Sequence, residues 1–385
     1  MELCLVTDHA CNLRCSYCYT GRKASRPMSV EIAERAIDLA LAQDPTGLEL
    51  SFFGGEPLLQ FDLVAHATNY AEQRLAGLGV ATKPFIHLNT NATLVDERVA
   101  TFVRSHLPLN AFVSLDGPAF VHDRHRLDIA RSGSHARVRA GIQRLLDAGA
   151  TVIPVAVVNP DTAEFLGDVA VELFGLPISR AHITCNLRAA WDDTALEGLR
   201  RGLHDAARVW GDAFRAGRAV QFEPLTNKVL SHLHGAMPCA RRCQLAAREL
   251  VVAPSGRIYP CGELVGEDEN QRFVVGDLEH GLDLPKLQLL RQTKERIEVI
   301  CESCAIRERC SSSCGCKHVA LTGNYGEITD TLCETEAALI DAADSIAERL
   351  HAEGCKPFLR YFYDQRWTVH EQIGMVRLRR NAADA

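Results

Sequence analysis

Short runs rich in apolar residues alternate with longer amphipathic stretches through the first 230 residues. The runs are Leu3-Cys4-Leu5-Val6, Leu48 to Phe53, Phe85 to Leu88, Ala111 to Leu115, Val152 to Val158 and His182 to Cys185. Each is strand length, and their mainly apolar character suits buried strands. Between them the period changes to that of a helix, as in Val30 to Leu41 with Ile32, Ala36, Ile37, Ala40 and Leu41, and again in Ala140 to Leu146. Strand–helix alternation of this kind predicts an α/β fold with a parallel sheet of about six strands, curled into a partial (β/α)6 barrel of TIM type.

Chemistry-bearing residues follow the strands. Directly after the first run come Cys11, Cys15 and Cys18. Four thiolates saturate a cubane iron–sulfur cluster or a structural zinc, whereas three leave one metal position open. After the second comes Gly54-Gly55-Glu56-Pro57, where two glycines let backbone approach a ligand and Glu56 offers an acceptor for an ammonium group. The third is followed by Asn89-Thr90-Asn91-Ala92-Thr93 and the fourth by Ser114-Leu115-Asp116-Gly117-Pro118. Singly each is a turn signal; at successive strand ends they describe one binding site, where barrels place their chemistry. A zinc site with His9 as fourth ligand is the competing reading of the cysteine loop. The run His122-Asp123-Arg124-His125-Arg126 is expected to be a solvated loop, with Arg124 or Arg126 alternatively meeting a cofactor carboxylate.

Composition narrows the class. The 385 residues are 47% hydrophobic and 24% charged with a net charge of −7, so there is no basic footprint for nucleic acid. No apolar stretch reaches membrane-spanning length and Met1 runs straight into the first strand, so the expectation is a cytoplasmic protein with neither nucleic-acid nor membrane partners. Fifteen cysteines is the outlying count, with nine of them between Cys239 and Cys333. In a long chain without a secretion signal such clustering points to metal. Eight of those thiols are the number that closes two cubane clusters or two zinc sites. Cys4, Cys185 and Cys355 are expected to be core packing.

The three-cysteine run with Tyr17 before its last cysteine, the Gly-Gly-Glu-Pro segment and Ser-Leu-Asp-Gly-Pro together resemble the radical S-adenosylmethionine superfamily. That resemblance implies a 4Fe–4S cluster on Cys11, Cys15 and Cys18, its free iron chelated by S-adenosylmethionine. It further implies that Gly54, Gly55, Glu56 and Pro57 take the methionine ammonium, that Ser114 and Asp116 contact its carboxylate or ribose, and that Asn89 lines the same cavity. Reductive cleavage of the cofactor would then yield a 5′-deoxyadenosyl radical that abstracts a substrate hydrogen.

The later cysteines resemble the SPASM extension of enzymes that modify peptides. By that resemblance Cys239, Cys243, Cys261 and Cys314 hold one auxiliary 4Fe–4S cluster and Cys301, Cys304, Cys310 and Cys333 a second, three clusters in all, with Cys316 competing with Cys314. The implied domains are 1–230 (barrel), 231–334 (SPASM) and 335–385 (a C-terminal helix and tail packing on the barrel). Fully ligated auxiliary clusters suit electron transfer, hence a net oxidation of a peptide or protein side chain. Crosslinking of a ribosomally made peptide (thioether, ether or carbon–carbon) is the first expectation, and Cys or Ser oxidation to formylglycine the alternative. A zinc-binding scaffold is the distant one. Gly262 stands where sulfatase-maturing enzymes have an Asp after the cysteine matching Cys261, which weighs against formylglycine. With ten residues before Cys11 no leader-binding module is expected at the start, leaving a separate leader-peptide recognition protein as a candidate partner beside the substrate and an electron donor such as flavodoxin or ferredoxin. Ala337 to Leu350 reads as an amphipathic helix, and the aromatics of Phe358 to Tyr363 look exposed, for packing or for peptide docking.

Overall fold

A computed structural model describes residues 1–235, 245–246 and 249–364. They form two compact units interleaved in sequence, Met1–Val155 with Gln244–Thr293 and Ala156–Cys243 with Lys294–Ala385, whereas the expected domains are consecutive segments. The six expected strands are present as β1 (Glu2–Asp8), β2 (Glu49–Gly54), β3 (Phe85–Thr90), β4 (Leu109–Ser114), β5 (Thr151–Val158) and β6 (Arg180–Cys185), followed by β7 (Gln221–Glu223).

In the first unit β1 to β4 and the beginning of β5 pair in parallel, each strand with its neighbour in sequence. Helices α1 (Val30–Gln43), α2 (Phe61–Gly77) and α3 (Glu97–Ser105) return the chain between them. The helix α1 starts where the Ser29 hydroxyl accepts from the Ile32 N–H, and it buries Ala33, Ala36, Ile37, Ala40 and Leu41, one stripe at helical spacing. Two further helices, α4 (Ala119–His125) and α5 (His135–Asp147), follow β4, so the expected solvated loop at His122–Arg126 is a helix and its exit, with His122 and Arg126 buried.

The cysteine-rich segment also feeds this sheet. Strand β8 (Glu249–Val252) pairs in parallel with β1 through Glu2↔Glu249 to Leu5↔Val252, and the antiparallel β9 (Arg257–Tyr259), β10 (Gly276–Asp277) and β11 (Gly281–Leu282) extend it. β1 therefore lies inside the sheet with both edges paired. Its residues Leu3 to Asp8 are all buried, which explains why the run lacks alternation.

In the second unit β6 and β7 pair in parallel. Here α8 (Leu225–His234) packs on β7, α7 (Asp193–Arg215) packs on α6 (Leu166–Phe174), and the long helix Asp330–Ala352 packs on α7 and α8. Of the aromatics that look exposed in the sequence, two are packed inside. On the helix Lys356–Tyr363, Phe358 and Phe362 are fully buried, their rings 5.5 and 6.0 Å from that of Phe214, with Phe362 6.1 Å from Trp210. Phe358 and Phe362 are core, and only Tyr363 of the large apolar residues there is exposed. Among the described residues no helix is long and apolar enough to cross a membrane.

Candidate active site

Where β1 ends, the chain enters the three-cysteine loop, and the glycines after β2 hold it there. The Gly55 N–H donates to the Asp8 carbonyl at 2.8 Å and the Glu56 N–H to that of Ala10 at 2.9 Å. A Cβ on Gly55 would lie 2.0 Å from the Ala10 carbonyl oxygen, and Gly54 takes φ +127°. Only glycines permit this approach. The Asp8 side chain, fully buried, anchors the same corner by accepting from the Ala10 and Arg26 N–H groups and the Gln60 amide at 3.0, 2.7 and 2.8 Å. Nothing in the local sequence marks it.

Glu56 points inward. It is 1% exposed, and its carboxylate accepts from the Leu58 N–H, the Thr90 hydroxyl and the Asn91 N–H at 3.1, 2.7 and 2.7 Å. Burial pushes its carboxyl upward, opposed by those bonds. It thus fastens the turn after β3 onto the turn after β2, and Pro57 starts the short helix it caps. From the turn after β3, Asn91 donates to the Asn12 side chain at 2.9 Å and Asn12 to Thr93 at 2.8 Å, which locks the cysteine loop from the side. Asn89 instead donates to Ser51 and the Phe52 carbonyl. Ser114 is half-buried at the end of β4.

Each of the three thiols has its own donor. Cys11 accepts from the Leu13 N–H at 3.4 Å and the Asn91 amide at 3.8 Å, Cys18 from the Lys23 ammonium at 2.8 Å, and Cys15 faces the Arg126 guanidinium at 4.0 Å. Burial pushes Cys11 up to about 11 and raises Cys15. Burial acts on Cys18 too, but the Lys23 charge and hydrogen bond outweigh it and bring that thiol down. Consecutive thiols lie close enough to disfavour joint ionisation, Cys11 with Cys15 and Cys15 with Cys18. Among the described residues no group of His, Cys, Asp and Glu is gathered at the spacing of a single metal ion. Three thiols on one short loop, each with a polar group beside it, are a donor set that suits a multi-iron cluster with one open iron. His9, the alternative zinc ligand, is buried with Nε2 unpartnered, its charged neighbours being Asp268, Arg26, Asp8 and Lys23.

Asp116, expected to face the cofactor, is 2% exposed with both oxygens committed. Arg126 grips it at 2.8 and 3.0 Å and the Tyr17 hydroxyl donates to it at 2.5 Å, while the guanidinium sits 5.2 Å from the centre of the Tyr17 ring. The pair holds the Asp116 carboxyl below its ordinary value, against burial. Beneath it His122 takes the Asp116 N–H on Nδ1 and meets Ser134 through Nε2, and Ser134 donates onward to the Arg126 carbonyl. Burial drops His122 to about 4, so the ring is neutral and Nε2 carries its proton. The Tyr19 hydroxyl, next to Cys18, donates to Glu263 just after β9, near Cys261. Sequence reasoning missed Asp8 and this Tyr19–Glu263 pair, whose partners include residues distant in the chain, and it missed Lys23, whose partner Cys18 is only five residues away.

In the second unit Cys301, Cys304 and Cys333 come together, each of the first two raising Cys333 after burial does. Cys310 lies beside Glu336 and Lys228 and is pushed up to about 11 by burial. Cys314 caps the helix Gly315–Thr322, Cys316 is buried, and Cys185 is pushed up to about 12 by burial near Lys317 and Glu336. Glu336 bonds Lys228 at 2.6 Å and Lys317 at 2.8 Å, tying this cysteine segment to the helix Asp330–Ala352. Cys261 is half-buried in the first unit, and Cys239 and Cys243 lie outside the described residues.

Residues 5–166 match the Radical SAM superfamily model. A serine-type anaerobic sulfatase-maturating enzyme of Klebsiella aerogenes is 24% identical over 336 residues, covering 82% of this chain and 79% of that one. The PqqA peptide cyclase of Gluconobacter oxydans is 22% identical over 378 residues, covering 94% and 98%. The matched segment spans only 38–44% of the length of other curated relatives. The solved structure described as native anSMEcpe with bound AdoMet superposes with a TM-score of 0.75 at 17% identity over 91% of this chain and 99% of that chain, a likeness of fold. Residues 5–166 therefore form a domain of the radical SAM superfamily.

Proposed function

We propose that the chain is a radical SAM maturase that oxidatively modifies a side chain of a ribosomally made peptide or protein, forming a crosslink. The observation that carries this is the arrangement of Cys11, Cys15 and Cys18 at the end of β1, each thiol with its own donor and the loop hooked onto Gly55 and Glu56. These cysteines would hold a 4Fe–4S cluster, with the backbone of Gly54 and Gly55 on the ammonium of S-adenosylmethionine, and Ser114 and Asn89 lining the same cavity. With both bound, reductive cleavage supplies a 5′-deoxyadenosyl radical for hydrogen abstraction. The chain's own residues fix the loop, exclude water from its base and set the charge around it.

Cys239, Cys243, Cys261 and Cys314 are assigned to one auxiliary cluster and Cys301, Cys304, Cys310 and Cys333 to the other; the gathering of Cys301, Cys304 and Cys333 supports the second. A reduced flavodoxin or ferredoxin would supply the electron, and a separate leader-peptide recognition protein would present the substrate. Crosslinking is favoured over formylglycine formation because Gly262 puts no carboxylate directly after Cys261, and the next one, Glu263, is engaged by Tyr19. The likeness to the Klebsiella enzyme favours the second reading. Co-expression with short peptides encoded beside its gene separates them. Loss of two hydrogens with no backbone fragmentation between two residues marks a crosslink; capture of the product by a hydrazide marks formylglycine. An unmodified peptide in every case contradicts both.

A further inference from the structure

Asp116 and Arg126 make an ion pair, both partners buried, whose positive end faces Cys15. Arg126 is 6% exposed and is held by both Asp116 oxygens; its Nη1 lies 4.0 Å from the Cys15 sulfur, and Asp116 takes its Nε and Nη2. Tyr17, between Cys15 and Cys18 in sequence, closes the triangle by its hydroxyl on Asp116 and its ring under the guanidinium. The His122–Ser134 chain clamps both ends from below, one through the Asp116 N–H and the other through the Arg126 carbonyl. Lys23, by contrast, reaches Cys18 from a half-exposed loop. Asp116 and Arg126 therefore present a fixed, oriented charge pair to one thiolate in a region of low dielectric.

We propose that this pair sets the reduction potential of the cluster on Cys11, Cys15 and Cys18, with Arg126 raising it and Asp116 moderating that rise. Adding an electron to a cluster is favoured by nearby positive charge and opposed by negative charge, and burial leaves both effects poorly screened. Asp116 is on this account a positioning and tuning residue, not a ligand of the cofactor. The proposal rests on the reading that these three cysteines hold a cluster.

The test is an anaerobic redox titration of reconstituted full-length protein, following the electron paramagnetic resonance signal that responds to S-adenosylmethionine, for wild type, Arg126→Gln, Arg126→Lys and Asp116→Asn. Arg126→Gln should shift the midpoint to more negative potential, Asp116→Asn to less negative potential, and Arg126→Lys should stay near wild type. Shifts of the same sign in Arg126→Gln and Asp116→Asn would mean that the pair acts only as a structural latch, and no shift would equally overturn the proposal. Should Arg126→Gln take up no cluster, Asp116→Asn still decides the matter by its sign. If wild type itself shows no signal responding to S-adenosylmethionine, the underlying reading of the cysteine loop fails instead.

Discussion

Glu56 and Asp116 both spend their carboxylates inside the protein, on Thr90 and Asn91 in one case and on Arg126 and Tyr17 in the other. At the opposite ends of the strands, Glu2 and Glu249 face each other across β1 and β8. Both are raised from 4.5 to about 7, Glu2 by burial and then by Glu249, and Glu249 by burial. A carboxyl raised on folding contributes stability that is complete below its unfolded pKa and is lost as pH rises through the folded value. The wild-type melting temperature should therefore fall between roughly pH 4.5 and pH 8, and Glu249→Gln should flatten that fall. Scanning calorimetry across this range checks it, and parallel curves for the two proteins would count against the pair. Glu336 carries the opposite sign, held well below its ordinary value by Lys228 and Lys317 against burial. Removing one partner of such a buried pair costs about 3–5 kcal/mol. Glu336→Gln should show a loss of this size in denaturant unfolding above pH 4.5, shrinking as the pH drops through the carboxylate range.

At the scale of elements, the helix Lys356–Tyr363 takes the packing role, one of the two its sequence left open, through Phe358 and Phe362. Phe362→Ala should destabilise the protein by about 3–5 kcal/mol, whereas Tyr363→Ala should change little. Equal effects in chemical denaturation would contradict the packing seen on Trp210 and Phe214. The strands β1 to β6 were legible because each is an apolar run bounded by polar turns, a signal carried within a few residues. β8 was not: four residues from Glu249 to Val252 carry too little pattern to be told from loop, and their place beside Leu3 to Leu5 is a contact across the whole first unit. The site divides the same way. The cysteine spacing and the paired glycines are local, so they could be read. Asp116 needed Tyr17 from 99 residues earlier and Arg126 from ten later before its role could be seen.

For the molecule as a whole, the proposed function joins the domain at 5–166 to the cysteine inventory: a radical would be generated at the end of β1, and electrons would be led away through the later cysteines. Three cubane clusters would give about twelve irons and twelve sulfides per chain after anaerobic reconstitution, and Cys301→Ala with Cys304→Ala should remove about four of each. Zinc in place of iron would remove the basis for both auxiliary assignments. The most direct measurement is 5′-deoxyadenosine release from S-adenosylmethionine on reduction with dithionite, for wild type and for the Cys11→Ala, Cys15→Ala, Cys18→Ala triple variant. The account expects release by wild type and none by the variant, which should keep the visible absorbance of its auxiliary clusters. Release that survives loss of the three cysteines, or a fully iron-loaded wild type that releases none, would contradict it.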